Sequence, residues 1–150
     1  MTDTLSEEKI REYAKALDDA IEKGNIDEIV SYFSDKCEIE LLGIKLTGHE
    51  GLKRAIRWMF RYLKEITLIP ITIMIQGNLF FEEFTVRAKV QSGQEIDVKQ
   101  AEVLEYEGDY KVKSLRLYFD RLELAQAFSD SIIDRILTKQ VIKASLKGFK

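Results

Sequence analysis

The sequence predicts an α+β fold in which helices pack on one face of a curved antiparallel sheet. Apolar residues recur mostly at helical spacing through about residue 65, and then alternate with polar residues in long runs that are joined by short turns. Helical spacing returns over residues 129–147. Successive strands joined by short turns form an antiparallel meander rather than β-α-β units.

Three helices are predicted in the N-terminal part of the chain. The first begins near Thr4 or Ser6, which are good N-cap residues, and Gly24 can end it. Asn25 caps the second helix, whose apolar stripe consists of Ile26, Ile29, Val30 and Phe33. The third helix is predicted from about residue 49 to residue 65.

Four long strands follow two short ones. The short strands are predicted over residues 37–41 and between the turns at Gly43 and Gly48, and the long strands over residues 66–76, 79–90, 95–107 and 110–120. Pro70 lies in the first long strand, and because proline lacks an N–H donor it indicates an edge position or a bulge.

The last part of the chain is predicted to form an amphipathic helix, capped by Ser131. We therefore expect one domain over residues 1–124 and a C-terminal helical segment over residues 125–150. The apolar stripe of that segment must be buried on the same domain or on a partner chain, because an exposed stripe of this size indicates an interface.

Composition excludes several classes of protein. A net charge of −3 argues against a dedicated nucleic-acid binder, so no nucleic-acid partner is expected, although rows of lysine and arginine on two helices leave an anion-binding alternative open. One cysteine and one histidine make a zinc or iron site implausible, and neither a metal nor a cofactor is expected. The polar, acidic N-terminus and the absence of a long apolar run predict a cytoplasmic protein without a membrane segment.

Three polar residues lie in phase with the apolar face of the sheet, namely Glu82, Gln100 and Glu102. A buried carboxylate is unfavourable unless it becomes protonated or gains a hydrogen bond. Such a residue indicates a pocket or a strand end that reaches solvent. Glu102 lies in the middle of its strand, which favours a pocket there, and a structural carboxyl bonded to a tyrosine is the alternative.

Parts of the sequence resemble the nuclear-transport-factor-like superfamily, and in particular SnoaL-like proteins and ketosteroid isomerases. The segments that carry the resemblance are the run from Tyr13 to Asp35, the turn Gly48-His49-Glu50-Gly51-Leu52, and the ending from Glu107 to Asp120. The resemblance implies a cone-shaped curved sheet wrapped around three N-terminal helices, with the C-terminal helix as an addition. Such cones usually enclose one apolar cavity, and many members are dimers.

The resemblance to ketosteroid isomerases also implies site residues. Their oxyanion hole, formed by a tyrosine and a protonated carboxylic acid, falls on Tyr13 and Glu102. Their aspartate base falls on Leu41, so the base is missing and isomerase activity is in doubt.

Two other relatives are similar in fold but need different residues. The Asp–Arg–Asp set of limonene epoxide hydrolase falls on Phe84, Val86 and Leu117, which argues against that chemistry. The acidic residue of SnoaL-type cyclases falls near Asp120, which is predicted to lie outside the cavity, as a helix cap or in a surface ion pair.

The sequence thus predicts a homodimeric protein that binds a small apolar molecule in its interior, with proton transfer as the reaction to test first. Tyr13 and Glu102 are the candidate catalytic residues. The expected ligand-binding residues are Tyr13, Glu82, Phe84, Gln100, Glu102 and Leu117. The alternative is a non-catalytic dimerisation or scaffold module whose core is filled.

Overall fold

The computed structural model describes residues 4–129 and 131–149, which form two compact units. The first unit runs to Phe119 and contains three helices and six strands. Its elements are α1 (Glu7–Lys23), α2 (Ile26–Ser31), β1 (Phe33–Leu41), β2 (Ile44–Thr47), α3 (Gly48–Tyr62), β3 (Lys64–Gln76), β4 (Leu79–Lys89), β5 (Glu95–Tyr106) and β6 (Val112–Phe119). The second unit starts at Asp120 and contains α4 (Arg121–Phe128) and α5 (Ile132–Ser145).

The six strands form one curved, open sheet in the order β2-β1-β6-β5-β4-β3. The predicted antiparallel meander of β3, β4, β5 and β6 is confirmed. Strand β1 runs parallel to β6, where Ile39 lies opposite Leu115, so the sheet contains one parallel pair. Strand β3 is an edge strand, and its register shifts between Pro70 and Thr72, as the missing N–H of proline predicts.

Both ends of α1 and the start of α2 lie where the sequence predicts. Ser6 caps α1 by accepting a hydrogen bond from the Lys9 N–H, and Gly24 ends the helix in the left-handed conformation. Asn25 caps α2 and accepts a hydrogen bond from the Glu28 N–H at 3.1 Å.

Several predicted boundaries are wrong. Phe33, expected in the second helix, is the first residue of β1, and Tyr32 ends α2. Helix α3 ends at Tyr62 because Leu63 already has an extended backbone and leads into β3. The C-terminal segment contains two helices rather than one, since Asp120 caps an additional helix, α4, through hydrogen bonds to the N–H groups of Leu122 and Glu123.

The core of the first unit lies between its helices and one face of the sheet. Helix α1 packs against β3 and β4 and buries an apolar stripe that consists of Ile10, Ala14, Leu17 and Ala20. The alternation predicted for β4 is confirmed, because every second residue from Phe80 to Ala88 is buried. In β5 the buried residues after Val98 are Glu102, Leu104 and Tyr106.

The second unit leaves apolar side chains exposed. All of the described side chains of α5 are at least partly exposed, and Ile132 and Ile133 keep 75% and 68% of their surface accessible. Within the described residues, no helix is both long enough and apolar enough to span a bilayer. The functional division into residues 1–124 and 125–150 stays a prediction.

Replacing Gly24 by alanine is expected to destabilise the protein by about 1 kcal/mol, because its φ of 71° places a Cβ in the left-handed region. Gly108→Ala is the matched control, since Gly108 lacks a positive φ and its Cβ would meet open space. Urea unfolding of both variants measures the difference. Equal stabilities would contradict the assignment of Gly24 as the C-cap of α1.

Candidate functional site

Two glutamates face each other across neighbouring strands in the interior of the first unit. Glu82 on β4 lies directly opposite Glu102 on β5, and the two side chains are 2% and 8% exposed. On the same face, Phe80 lies opposite Leu104 on one side of this pair. The acidic pair is therefore set in an apolar part of the sheet.

A third carboxyl group comes from helix α1. Asp18 follows Leu17 and lies one turn after Ala14, so it falls beside the buried stripe and is itself half-buried. Carboxylate oxygens of Asp18, Glu82 and Glu102 all lie within 4.8 Å of one another. We call these three residues the acidic cluster.

Burial and mutual repulsion raise the pKa values of the acidic cluster. The pKa of Asp18 rises to about 8, first because the carboxyl is buried and then because Glu82 and other acids are near. Burial raises the pKa of Glu102 well above its usual value, and the charges of Asp18 and Glu82 add to this. Burial also raises the pKa of Glu82. The acidic cluster therefore retains protons at neutral pH.

A tyrosine that the sequence analysis did not select belongs to the same site. Tyr106 is 2% exposed, and its hydroxyl has no hydrogen-bond partner among the described residues. Burial raises its pKa, and the charges of Glu102, Asp18 and Glu82 raise it further. The hydroxyl therefore stays protonated and is available as a donor or acceptor near the acidic cluster.

The predicted partner of Glu102, Tyr13, has different surroundings. Its ring stacks on that of Tyr110 with 5.3 Å between centroids, it meets Tyr32 edge-on, and it remains 37% exposed. Asp18 lies five positions after Tyr13, which corresponds to a rotation of about 140° around α1. The structure thus brings Glu102 together with Asp18, Glu82 and Tyr106 rather than with Tyr13.

The other expected ligand-binding residues surround the acidic pair on the sheet. Phe84 is buried on β4 two residues after Glu82, opposite Gln100, which is half-buried. Leu117 on β6 lies opposite Glu102 and packs against the hydrophobic core. Gln100 and Leu117 are therefore neighbours of the acidic cluster in the sheet.

The sequence contained signals for both residues that were missed. Asp18 lies four residues after Ala14 and three before Ile21, so it is a polar residue in phase with the apolar stripe of α1. Tyr106 lies four residues after Glu102 on the same strand face. The polar residues of β4 and β5 were selected because they occupy positions in phase with buried apolar residues. The same criterion, applied to α1, selects Asp18.

Tyr106→Phe is expected to stabilise the ligand-free protein by about 1 kcal/mol, because it removes a buried hydroxyl that has no partner among the described residues. Tyr110→Phe is the matched control and is expected to lower stability slightly, since the Tyr110 hydroxyl accepts a hydrogen bond from the Ser6 N–H. Chemical denaturation measures both changes. A loss of stability in Tyr106→Phe would contradict the unpaired state of this hydroxyl.

Stability is expected to fall as the pH rises from 5 to 8. Asp18 has a pKa of about 8 when folded and its usual low pKa when unfolded, so in this range the folded state binds more protons. The decrease approaches about 1.4 kcal/mol per pH unit for each such group, and Asp18→Asn should make the curve flatter.

Asp27→Asn, on an exposed position of α2, is the control for this pH dependence and should leave the slope unchanged. The lowered pKa values of Asp97 and Glu105 give stability that is lost on acidification below about 4.5, outside this range. A wild-type curve that is flat or rises between pH 5 and 8 would disprove the raised pKa of the acidic cluster.

Comparison with known proteins supports the fold. Residues 13–114 match the SnoaL-like domain family. No curated protein matches the sequence. Among solved structures, an NTF2-like protein of unknown function from Burkholderia pseudomallei is 16% identical, with a TM-score of 0.74 over 83% of this chain and 99% of the other.

Two further structures are similar. SalBIII, an epoxide hydrolase/cyclase-like enzyme in pyran ring formation in the polyether salinomycin, is 15% identical, with a TM-score of 0.71 over 79% of this chain and 95% of the other. A protein with a ketosteroid isomerase-like fold from Catenulispora acidiphila, in complex with trimethylamine, is 14% identical, with a TM-score of 0.69 over 78% and 92% of the two chains. At these identities the likeness shows the fold alone. Because the family match spans more than half of the sequence, the chain belongs to the SnoaL-like domain family.

Proposed function

We propose that the protein binds a small, mainly apolar organic molecule beside the acidic cluster and transfers protons to and from it. The observation that carries this proposal is the meeting of three carboxyl groups from α1, β4 and β5 within 4.8 Å in an apolar interior. Replacing such a cluster by apolar residues would favour folding, so its presence is better explained by chemistry than by stability.

The protonation states of the acidic cluster suit general acid and base catalysis. Carboxyl groups that share a site titrate in separate steps, so near neutral pH a protonated and an ionised carboxyl stand side by side. The ionised carboxylate can take a proton from a carbon next to a carbonyl. The protonated carboxyl or the Tyr106 hydroxyl can donate to the carbonyl oxygen, and an enol results.

The neighbours of the acidic cluster are proposed to form the binding surface. Phe84 and Leu117 supply apolar contacts, and Gln100 supplies a polar contact at the edge. Tyr13 takes no part in this proposal, because its ring is engaged with Tyr32 and Tyr110. The cyclase-like relative takes part in pyran ring formation in a polyether, and by analogy an oxygen-containing carbon skeleton is a suitable substrate class.

Dimerisation and location are part of the same proposal. Cys37 is buried and unpaired, which fits a reducing compartment such as the cytoplasm. The exposed isoleucines of α5 support association through the C-terminal segment, with a second copy as the simplest partner. The same exposed side chains favour the alternative function, a scaffold that dimerises and catalyses nothing.

Proton transfer can be tested by deuterium exchange into 2-tetralone, a bicyclic ketone, followed by NMR in D₂O. The wild-type protein is expected to accelerate exchange at the carbon next to the carbonyl, and Glu102→Gln to reduce that acceleration at least tenfold. Tyr118→Phe, at an exposed position of β6, is the matched control and should exchange like the wild type. Exchange no faster than in buffer, together with no thermal shift by the ketone, would support the scaffold instead.

A further inference from the structure

The ionised carboxyl groups of the acidic cluster offer hydrogen-bond acceptors and no donors. None of the described residues donates a hydrogen bond to the six carboxyl oxygens of Asp18, Glu82 and Glu102. The one cation that acts on Asp18, Lys15, is the weakest of its electrostatic neighbours and is paired with Asp19 at the surface. The described part of the chain thus supplies neither N–H donors nor a firm countercharge.

A second observation is independent of the carboxyl groups. The Tyr106 hydroxyl is buried, has no partner among the described residues, and interacts electrostatically with all three acids. A buried hydroxyl without a partner is unfavourable unless a bound molecule completes its hydrogen bonding. A ligand that fits this site therefore carries hydrogen-bond donors for the carboxylates and also reaches the Tyr106 hydroxyl oxygen.

We propose that the ligand of the acidic cluster is a protonated amine with an apolar body. A primary ammonium has three N–H donors, which matches the three carboxyl groups, and its positive charge offsets their repulsion. A ketone or an ether can accept a hydrogen bond from a protonated carboxyl, but it has no donor for the ionised ones and so matches the acidic cluster less completely. This inference rests on the proposed function, because it names the ligand class of the same site.

The surroundings of the acidic cluster favour an amine over a metal ion. Calcium takes six to eight oxygen ligands, and magnesium keeps several of its water molecules. Here the Glu82–Glu102 pair is flanked along the sheet by Phe80, Phe84 and Leu104, all of them buried and apolar. These side chains suit the hydrocarbon part of an amine better than a hydrated ion.

Binding of an amine should become tighter as the pH rises. Each proton that the acidic cluster releases on binding adds about a factor of ten in affinity per pH unit. The titratable groups outside the acidic cluster that interact electrostatically with it are Lys15, Asp19 and Glu22 on α1 and Tyr106 on β5. A neutral ligand that accepts a hydrogen bond from a protonated carboxyl should show the opposite trend, so the sign of the pH dependence separates the two.

The experiment uses the full chain and three matched probes, n-hexylammonium, 1-hexanol and 2-hexanone, in calorimetry at pH 5.5, 6.5 and 7.5. We expect hexylammonium to bind, with affinity that rises at least threefold per pH unit, and to bind at least tenfold more tightly than hexanol. Glu102→Gln should reduce its affinity at least tenfold and flatten the pH dependence, whereas Tyr118→Phe, at an exposed position of β6, should change neither. If Glu102→Gln does not fold, the test uses Glu82→Gln, which should also reduce the affinity for hexylammonium, together with the pH dependence of that affinity in the wild type.

The outcomes separate this inference from the proposed function. Binding of hexanone without binding of hexylammonium would overturn the amine and leave the proton-transfer proposal intact. A thermal shift with CaCl₂ or MgCl₂ and none with hexylammonium would overturn the amine in favour of a metal ion. Failure of all three organic probes, together with no deuterium exchange into 2-tetralone, would overturn both proposals.

Discussion

The electrostatic repulsion among three acidic side chains in an apolar interior is the main physical constraint on this structure. Burial favours their protonated forms, and each ionised member makes it harder to ionise the next. Above neutral pH this repulsion opposes folding. A sheet that tolerates such a group has to gain its stability elsewhere, chiefly from the apolar residues that alternate along β4 and β5 on the same face.

The position of the acidic cluster follows from strand register. Glu82 and Glu102 meet because β4 and β5 pair antiparallel, with Glu82 opposite Glu102 and Phe84 opposite Gln100. A slip of one residue would turn one glutamate to the outer face, since side chains alternate along a strand. The apolar residues at alternate positions fix the register, so the hydrophobic pattern of the sheet also determines where the chemistry lies.

The sequence predicted the fold more completely than the site. The alternation along β4 and β5 correctly predicted that Glu82 and Glu102 face the core. The caps Gly24 and Asn25 correctly predicted the end of α1 and the start of α2. The partner of Glu102 could not be predicted this way, because periodicity assigns a residue to a face and does not give distances between elements. Asp18 comes near the glutamates only because of how α1 lies against the sheet. The helix over 121–128 was missed because its apolar residues lack a clear stripe, although a helix cap was one of the two roles expected for its N-cap, Asp120.

The polar positions of this chain differ from those that the resemblance implies. The resemblance places the base of ketosteroid isomerases on Leu41 and the charged set of limonene epoxide hydrolase partly on Phe84, and both residues are buried and apolar here. This chain carries its charge instead on β4, β5 and the helix that covers them. Side chains alternate along a strand, so moving an acid by two residues keeps it facing the core. Of the inherited positions, only that of the oxyanion-hole acid, Glu102, therefore leads to the acidic cluster, whereas polar residues in phase with the core also include Glu82 and Asp18.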